Sequence, residues 1–171
     1  NTLSLHDALP ILIKDDKMVS VLQRDEGLGF NFLINAISGG TLEVTNPCDI
    51  NKFVTLEMLK SKTKTEISYD DDVVHLKKKI KVKVDLAEAQ KEITLTKENV
   101  SKIEAQSEEN ILEACNNLFA KYKALNMDIF DITEEFHRKY PKIKNDDIIK
   151  KTELKVEVEV KIMNKIGRAH V

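Results

Sequence analysis

Histidine and cysteine are the side chains best able to carry acid–base or nucleophilic chemistry near neutral pH, and this chain has four histidines and two cysteines. Two histidines lie in the terminal segments, which leaves His75 and His137 for a Ser-His-Asp or Cys-His arrangement. His75 lies beside a lysine run, and no Gly-x-Ser-x-Gly motif occurs. His137 lies near the end of a predicted helix, where a cation stabilises the helix dipole. We therefore predict a structural or capping role for His137, no catalytic residue and no enzymatic activity.

Metal and cofactor sites are not predicted either. The chain has no His-x-x-x-His, no Cys-x-x-Cys and no calcium-loop spacing. Cys115 lies on the apolar face of a predicted helix and Cys48 follows a proline in a loop, so we expect two unpaired thiols, with Cys115 buried. Ser61, Lys62 and Thr63 are similar to the end of a phosphate-binding loop, but they lack its upstream glycines and lie in a predicted strand. We expect no cofactor and no metal.

A run of lysines is the strongest local charge feature. It consists of Lys77, Lys78, Lys79, Lys81 and Lys83. Such a cluster could attract phosphate or anionic lipid. No aromatic residues interleave with it to stack bases, and the formal net charge of the chain is −2, so nucleic acid is not an expected partner. We predict a solvated sheet face, on which the lysines lie opposite the apolar side chains of their strand.

Alternation of apolar and polar residues predicts the strands. Residues 68–72 predict a turn between two long strands, at residues 53–67 and 73–84, and the second strand is expected to continue through Ile93 and Leu95 as a bent extension. Two shorter predictions precede them: a hairpin with its turn at residues 14–17, and a strand at residues 41–45 after the break at Gly39 and Gly40. We expect these strands to pair as antiparallel neighbours.

A last strand is predicted at residues 154–162. Its Leu, Val and Ile residues face one way, and its Lys and Glu residues face the other. Pairing it with residues 73–84 would place glutamates opposite lysines across the sheet.

Three helices are predicted. The first is capped by Asp25 and runs to about residue 35, with Leu28, Phe32 and Leu33 facing inward. The second is capped by Thr96 and runs to Leu125. Its inward stripe is Val100, Ile103, Ile111, Cys115, Leu118, Tyr122 and Leu125, flanked by Leu112 and Phe119, and its polar middle, residues 106–110, indicates a bend or an overhang of the sheet.

The third helix starts after Asp128 or Asp131 and ends at Tyr140, because Pro141 disfavours helical backbone in the residue before it. A sheet with one apolar and one charged face needs helices on the apolar face alone. We therefore predict one α+β domain, an antiparallel β-sheet with one face packed by a long helix and shorter helices.

The two ends of the chain have an unusual origin in this interpretation. Residues 2–11 and 166–171 are what two common sequencing-adapter strings encode, one at each terminus. We therefore treat residues 1–11 and 165–171 as adapter-derived and residues 12–164 as the domain.

Six segments resemble, in the same order, the C-terminal domain of the Ger(x)C spore-germination lipoproteins, the C subunits of nutrient germinant receptors in endospore-forming bacteria. These segments are residues 12–19, 26–28, 39–42, 60–64, 82–89 and 126–141. The chain departs from the family pattern at Met127, at Asp131 and Thr133 where glycines often lie, and in a short connection without tryptophan between residues 141 and 154.

The resemblance implies a function for the chain. Family members are lipoproteins, held by a palmitate-bearing N-terminal cysteine on the outer surface of the spore inner membrane, and they act with the membrane A and B subunits of the receptor. It implies that this chain is a soluble final domain of such a subunit, in a fragment that lacks the lipid anchor. The motif residues carried over as structural or interaction candidates are Ser61, Lys62, Thr63, Asp128, His137, Arg138, Tyr140 and Pro141.

Two functions of different class remain open at this point. The first is a non-enzymatic receptor subunit that contributes to assembly and signalling. The alternative is a domain that binds a small ligand, the germinant itself, or a generic protein-interaction domain.

Overall fold

A long two-stranded hairpin forms the centre of the protein in this computed structural model. β4 (Asp49–Asp70) and β5 (Val73–Ala89) are antiparallel and pair over most of their length. Between them, Asp71 and Asp72 have φ angles of 46° and 64°. Positive φ at both central residues is typical of a type I′ turn, whose twist matches that of the flanking strands, and aspartate tolerates it. The turn predicted at residues 68–72 is confirmed, but it is shorter than predicted. Strand pairing continues to Asp70, so only Asp71 and Asp72 connect the two strands.

The structure describes residues 11–14, 17–22, 24–164 and 168–169. The turn residues 15 and 16 and most of both terminal segments lie outside this part of the chain. The remaining elements are β1 (Ile11–Lys14), β2 (Lys17–Val21), α1 (Arg24–Leu33), β3 (Thr41–Asn46), β6 (Ile93–Thr94), α2 (Lys97–Ala124), α3 (Ile132–Lys139), a 3₁₀ turn (Ile149–Lys151), β7 (Thr152–Ile162) and β8 (Arg168–Ala169).

Four strands form the main sheet in the order β3-β4-β5-β7. β3, β4 and β5 are antiparallel neighbours, whereas β7 runs parallel to β5. The α+β class is confirmed, but the expectation of an antiparallel sheet is wrong for this last strand. The cause is the connection: α2 carries the chain back along the sheet over 28 residues, so that β7 can start at the same end as β5. Two small pairs complete the fold, β1 with β2 and β6 with β8.

The core lies between the inner face of the sheet and the helices α1 and α2. The hydroxyl of Thr96 accepts the N–H of Asn99 at 3.1 Å, so the predicted cap of α2 is confirmed. Leu125 was expected to end the inward stripe, but it is 56% exposed, because α2 ends at Ala124 and Asn126, with φ of 52°, turns the chain away. The buried residues of α2 are Val100, Ile103, Ser107, Ile111, Cys115, Leu118, Phe119 and Tyr122.

The polar middle of α2 lies along the edge of the sheet at β7. The carboxylate of Glu108 accepts the N–H of Val160 at 3.1 Å, and that of Glu104 accepts the N–H of Ile162 at 3.0 Å. Ser107, between them, is buried and donates its hydroxyl to the carbonyl of Ile103 at 2.8 Å. This part of α2 is polar because it bonds the backbone of an edge strand.

The predicted extension of β5 through Ile93 and Leu95 is wrong. The strand ends at Ala89, and Ile93 belongs to β6, which pairs with β8. Gln90 closes the end of the β4–β5 ladder: its backbone N–H donates to the carbonyl of Phe53 at 3.0 Å, and its side-chain oxygen accepts the N–H of Phe53 at 3.0 Å.

Across β5 and β7 the expected charge pairing is confirmed. Lys77 lies 3.0 Å from Glu157, and Lys81 lies 3.8 Å from Glu159. α1 begins at Arg24, one residue before the predicted cap Asp25, whose side chain lies outside the described part.

Candidate functional site

The motif residues fall in two places, and of these residues only Thr63 lines the cleft that lies between the two places. Ser61, Lys62 and Thr63 lie in β4, and the other five lie in or beside α3. A cleft between the end of α1 and the start of α3, of about 290 Å³, is lined by Thr63 and Lys78 from the sheet and by Asp131 and Glu135 from the α3 segment. We call it the α1–α3 cleft. The structure therefore brings Thr63 together with the α3 segment, whereas Lys62 is exposed on the other face of the sheet.

Asp128 fixes the start of α3. One of its carboxylate oxygens accepts the N–H groups of Phe130 at 3.1 Å and of Ile132 at 3.2 Å, and the other accepts the N–H of Thr133 at 2.6 Å. These N–H groups have no partner within the helix, and a carboxylate also suits the positive end of the helix dipole. Asp131 precedes the helix directly but makes no side-chain cap. Of the two starts that the sequence left open, the helix begins after Asp131, and Asp128 is the capping residue.

Asp131 adopts a left-handed backbone conformation with φ of 59°. Glycine adopts this conformation without strain, and aspartate is one of the few other residues that tolerates it. The departure from the family's glycine at this position therefore leaves the loop geometry accessible to this sequence.

An aromatic cluster holds α3 against the tip of the hairpin. Phe136 is fully buried, with its ring centroid 5.3 Å from that of Tyr69 and 5.2 Å from that of Tyr140. Lys139 donates its ammonium to the carbonyl of Ile67, on the edge of β4 that β3 does not cover. Pro141 follows Tyr140, whose N–H closes α3 on the carbonyl of Phe136 at 2.7 Å.

His137 and Arg138 lie on the outer side of α3. The ring of His137 packs edge-on against that of Phe136, with centroids 5.6 Å apart, and Arg138 pairs with Glu134 one turn earlier at 2.8 Å. His137 also lines a shallow cleft with Asp128 and Asp146. The structural or capping role of His137 stays a prediction.

Thr63 ties β4 to the end of α1. Its hydroxyl donates to the carbonyl of Phe32 at 2.6 Å, and its N–H donates to the side-chain oxygen of Asn35 at 2.8 Å. Asn35 reaches this position with φ of 59°. The prediction that residues 61–63 lie in a strand is confirmed. Thr63 joins this strand to the end of α1 through its two hydrogen bonds.

Lys78 contradicts the prediction that the lysine run is solvated. It is only 4% exposed, because it shares the inner face of β5 with Leu76 and Ile80. Its ammonium donates to the hydroxyl of Thr65 at 2.8 Å in the α1–α3 cleft. Strict alternation from Leu76 to Ile80 was the signal in the sequence, and the neighbouring lysines obscured it.

Burial lowers the pKa of Lys78 below its usual 10.5, and the charges of Glu135 and Asp128 only partly oppose the shift. Between the lowered pKa and 10.5 the unfolded chain binds more protons at this residue than the folded protein does. The free energy of unfolding should therefore rise with pH across that window, by at most about 1.4 kcal/mol per pH unit. Urea denaturation at successive alkaline pH values measures this effect. We expect the free energy of unfolding of the wild-type protein to rise with pH relative to that of Lys78→Met. A difference between the two proteins that does not change with pH would contradict this assignment.

The two thiols are unpaired, as expected. Burial raises the pKa of Cys115 to about 12, and its sulfur lies 3.8 Å from the carbonyl of Gly29, so it is held as an uncharged packing group. Cys48 is exposed, and the side-chain amide of Asn99 lies 3.5 Å from its sulfur. Within the described ranges, no group of three or more His, Cys, Asp or Glu residues is placed to hold a metal ion.

Comparison with known families decides the assignment. The family model described as spore germination B3/GerAC like, C-terminal, matches residues 10–165, which is most of the chain. The chain belongs to this family. It is therefore a GerAC-like C-terminal domain, as the resemblance of its motifs predicts.

The fold agrees with this GerAC-like family. The crystal structure of the GerBC protein matches with a TM-score of 0.72 and 22% sequence identity, over 87% of this chain and 48% of that one. The chain thus spans about half the length of the solved structure that it matches. No curated protein matches it.

Three residues of this GerAC-like domain are central to the site but were not predicted to be: Lys78 was expected to be solvated, and Asn35 and Glu135 were not singled out. Lys78 and Glu135 enter the α1–α3 cleft from opposite sides, and Asn35 bonds the free edge of β4 beside it. Asn35 and Glu135 gave no pattern of their own, since single polar residues near helix ends are common. The functional importance of the eight motif residues stays a prediction.

Proposed function

We propose that this chain is the C-terminal domain of a germinant-receptor C subunit and that it acts without catalysis, by maintaining contacts within the receptor. The observation that carries the proposal is the family match over residues 10–165, and the GerBC-like fold supports it. The chemistry-bearing groups of the motifs have structural tasks: the Asp128 carboxylate caps α3, and the Thr63 hydroxyl holds α1. Because these two groups are already bonded within the fold, they favour a structural role over a catalytic one.

The partners proposed are the membrane A and B subunits of the receptor. On this proposal the subunit is a lipoprotein, anchored on the outer surface of the spore inner membrane by a lipid on an N-terminal cysteine. Among the described residues, no helix has the length and apolar character needed to cross a bilayer.

A germination assay tests the proposal. The gene for the full-length protein is deleted in the source organism, together with any other C-subunit genes that could replace it, and then restored as wild type or as Asp128→Ala. We expect the deletion strain to lose its response to at least one nutrient, the wild-type gene to restore it, and Asp128→Ala to restore it incompletely. Asp146→Ala removes an exposed charge beside the same helix and should restore it fully. Normal nutrient germination of the multiple-deletion strain would reject the proposal.

Binding of a small ligand is a second candidate, favoured by one observation. In the α1–α3 cleft the buried ammonium of Lys78 lies on the same lining as Glu135, one of whose carboxylate oxygens is buried without a hydrogen-bond partner in the described part. An uncompensated buried oxygen is costly, and a ligand with an amino or hydroxyl donor would satisfy it. Calorimetry against amino acids and sugars should show binding that Glu135→Ala abolishes. No heat of binding at millimolar ligand would reject this candidate.

A further inference from the structure

The outer face of the sheet, opposite the helices, carries an uneven distribution of charge. Among the described residues, nine exposed or half-exposed lysines lie there on three adjacent strands, although the formal net charge of the chain is −2. Two of them, Lys77 and Lys155, lie within ion-pair distance of Glu157, and the other seven form a cluster. We call this cluster the basic face, and it consists of Lys60, Lys62 and Lys64 of β4, Lys79, Lys81 and Lys83 of β5, and Lys161 of β7.

The register of the strands places like charges side by side. Lys60 pairs with Lys83, Lys62 pairs with Lys81, and Lys64 pairs with Lys79. Lys83 also pairs with Lys161, so three lysines form an unbroken row across three strands. Residues directly opposite on one sheet face lie about 5 Å apart, where like charges are destabilising. The fold therefore retains an electrostatic cost at this face.

Neighbouring carboxylates offset this charge only in part. Lys79 lies 3.4 Å from Glu66, and Lys81 lies 3.8 Å from Glu159. Among the described residues, the other five lysines of the basic face have no carboxylate within the 4.0 Å of an ion pair. These five are Lys60, Lys62, Lys64, Lys83 and Lys161. Within the described part of the domain, no ion pair neutralises the positive charge of these five lysines, so this charge is available to a partner outside the domain.

We propose that the basic face binds the surface of an anionic phospholipid bilayer. A lysine-only patch fits this partner better than a protein, since protein interfaces are depleted in lysine and enriched in arginine and aromatic residues. A nucleic acid is disfavoured because no aromatic side chain lies among these lysines to stack on a base. Basic clusters gain attraction to anionic headgroups from each added lysine, and the strand register places these lysines on one face, so that several can reach a bilayer together.

Two exposed apolar side chains strengthen the choice of a bilayer. Leu59, at a bulge in β4, and Met163, just past the end of β7, are each 50% exposed. Leu59 directly precedes Lys60 and Met163 follows Lys161 by two residues, so both lie beside the row formed by Lys60, Lys83 and Lys161. Apolar side chains beside a lysine patch can enter the boundary between headgroups and acyl chains. This inference does not depend on the proposed function, because it uses only the charge and shape of this face.

Vesicle cosedimentation of the full chain tests the proposal. The vesicles are phosphatidylcholine alone or phosphatidylcholine with phosphatidylglycerol, at low and at high salt. We expect binding to the anionic vesicles only, weakened by salt. The triple variant Lys60→Gln, Lys62→Gln, Lys83→Gln should bind roughly 10- to 100-fold more weakly. Because it removes like-charge pairs, this variant should fold at least as stably as wild type, which a thermal melt checks.

The matched control changes three exposed lysines elsewhere, Lys142→Gln, Lys144→Gln and Lys150→Gln, and it should bind as wild type does. Equal weakening of both triple variants would overturn the proposal, because net charge alone would then explain the binding. Equal binding to neutral and anionic vesicles would also overturn it, as would tighter binding to a single-stranded oligonucleotide than to anionic vesicles.

Discussion

Replacing Asp128 by alanine is expected to lower the free energy of unfolding by about 2 kcal/mol and to loosen α3 first. The carboxylate accepts three backbone N–H groups, at 3.1, 3.2 and 2.6 Å. A single N-cap contributes about 0.5–2 kcal/mol, and bonds to a charged acceptor lie at the strong end of that range. The sum over three bonds is not reached, since Asp128 is partly exposed and water can replace some of them. Urea denaturation measures the loss, and hydrogen exchange of the α3 amides locates it.

Two controls make the Asp128 result specific. Asp146→Ala removes a carboxylate from the same shallow cleft without removing a cap, so the free energy of unfolding should change little. Asp131→Gly places glycine at φ of 59° and should change it by less than about 1 kcal/mol. If Asp128→Ala were no more damaging than Asp146→Ala, the capping role would be refuted.

Replacing Gly29 by alanine is expected to destabilise the domain by about 2 kcal/mol, although alanine is the better helix former. A Cβ on Gly29 would lie 2.8 Å from the carbonyl oxygen and 3.0 Å from the carbonyl carbon of Ala114. Helix propensity alone would favour alanine by about 1 kcal/mol. Overpacking against backbone costs about 1–3 kcal/mol and sometimes more, because α1 and α2 would have to separate. Packing should therefore outweigh propensity, and the sign of the change in a thermal or urea melt decides between them.

Ala120→Gly supplies the matching control for propensity. Ala120 is exposed on α2, so this change should cost only the intrinsic difference between alanine and glycine, about 1 kcal/mol. A gain in stability for Gly29→Ala of similar size would show that the helices can move apart at no cost.

Local patterns in the sequence predicted the elements well where one physical rule dominated. Alternation predicted β7, and it also predicted that the glutamates of β7 lie opposite Lys77 and Lys81 of β5. Helical periodicity together with the Thr96 cap predicted α2. Each of these depends on residues close together in the chain. The motifs of the GerAC-like family added the assignment that chemistry alone did not give.

Features that depend on where the chain turns, or on the direction in which it returns, were not predictable from alternation and periodicity. The direction of β7 follows from how α2 carries the chain across the sheet, and Leu125 is exposed because the chain turns at Asn126. Asp128 lies four residues before the first residue of α3. It caps this helix only because the intervening loop folds back and brings the Asp128 carboxylate to the helix N-terminus. The wrong prediction for Lys78 has a local cause. Alternation along β5 places this residue on the inner face, but the lysines on both sides of it favoured the interpretation as a solvated run.

The side-chain bonds along the strand edges have a consequence for assembly. At β7, Glu104 and Glu108 already occupy N–H groups that an added strand would need. On the uncovered part of β4, Asn35 and Lys139 occupy a backbone N–H and a carbonyl in the same way. A chain seeking to extend the sheet here must first displace these four side chains, two of which bring negative charge against it. Strand exchange between copies and fibril-like stacking are thereby disfavoured at these positions, and association of the domain is directed to its faces.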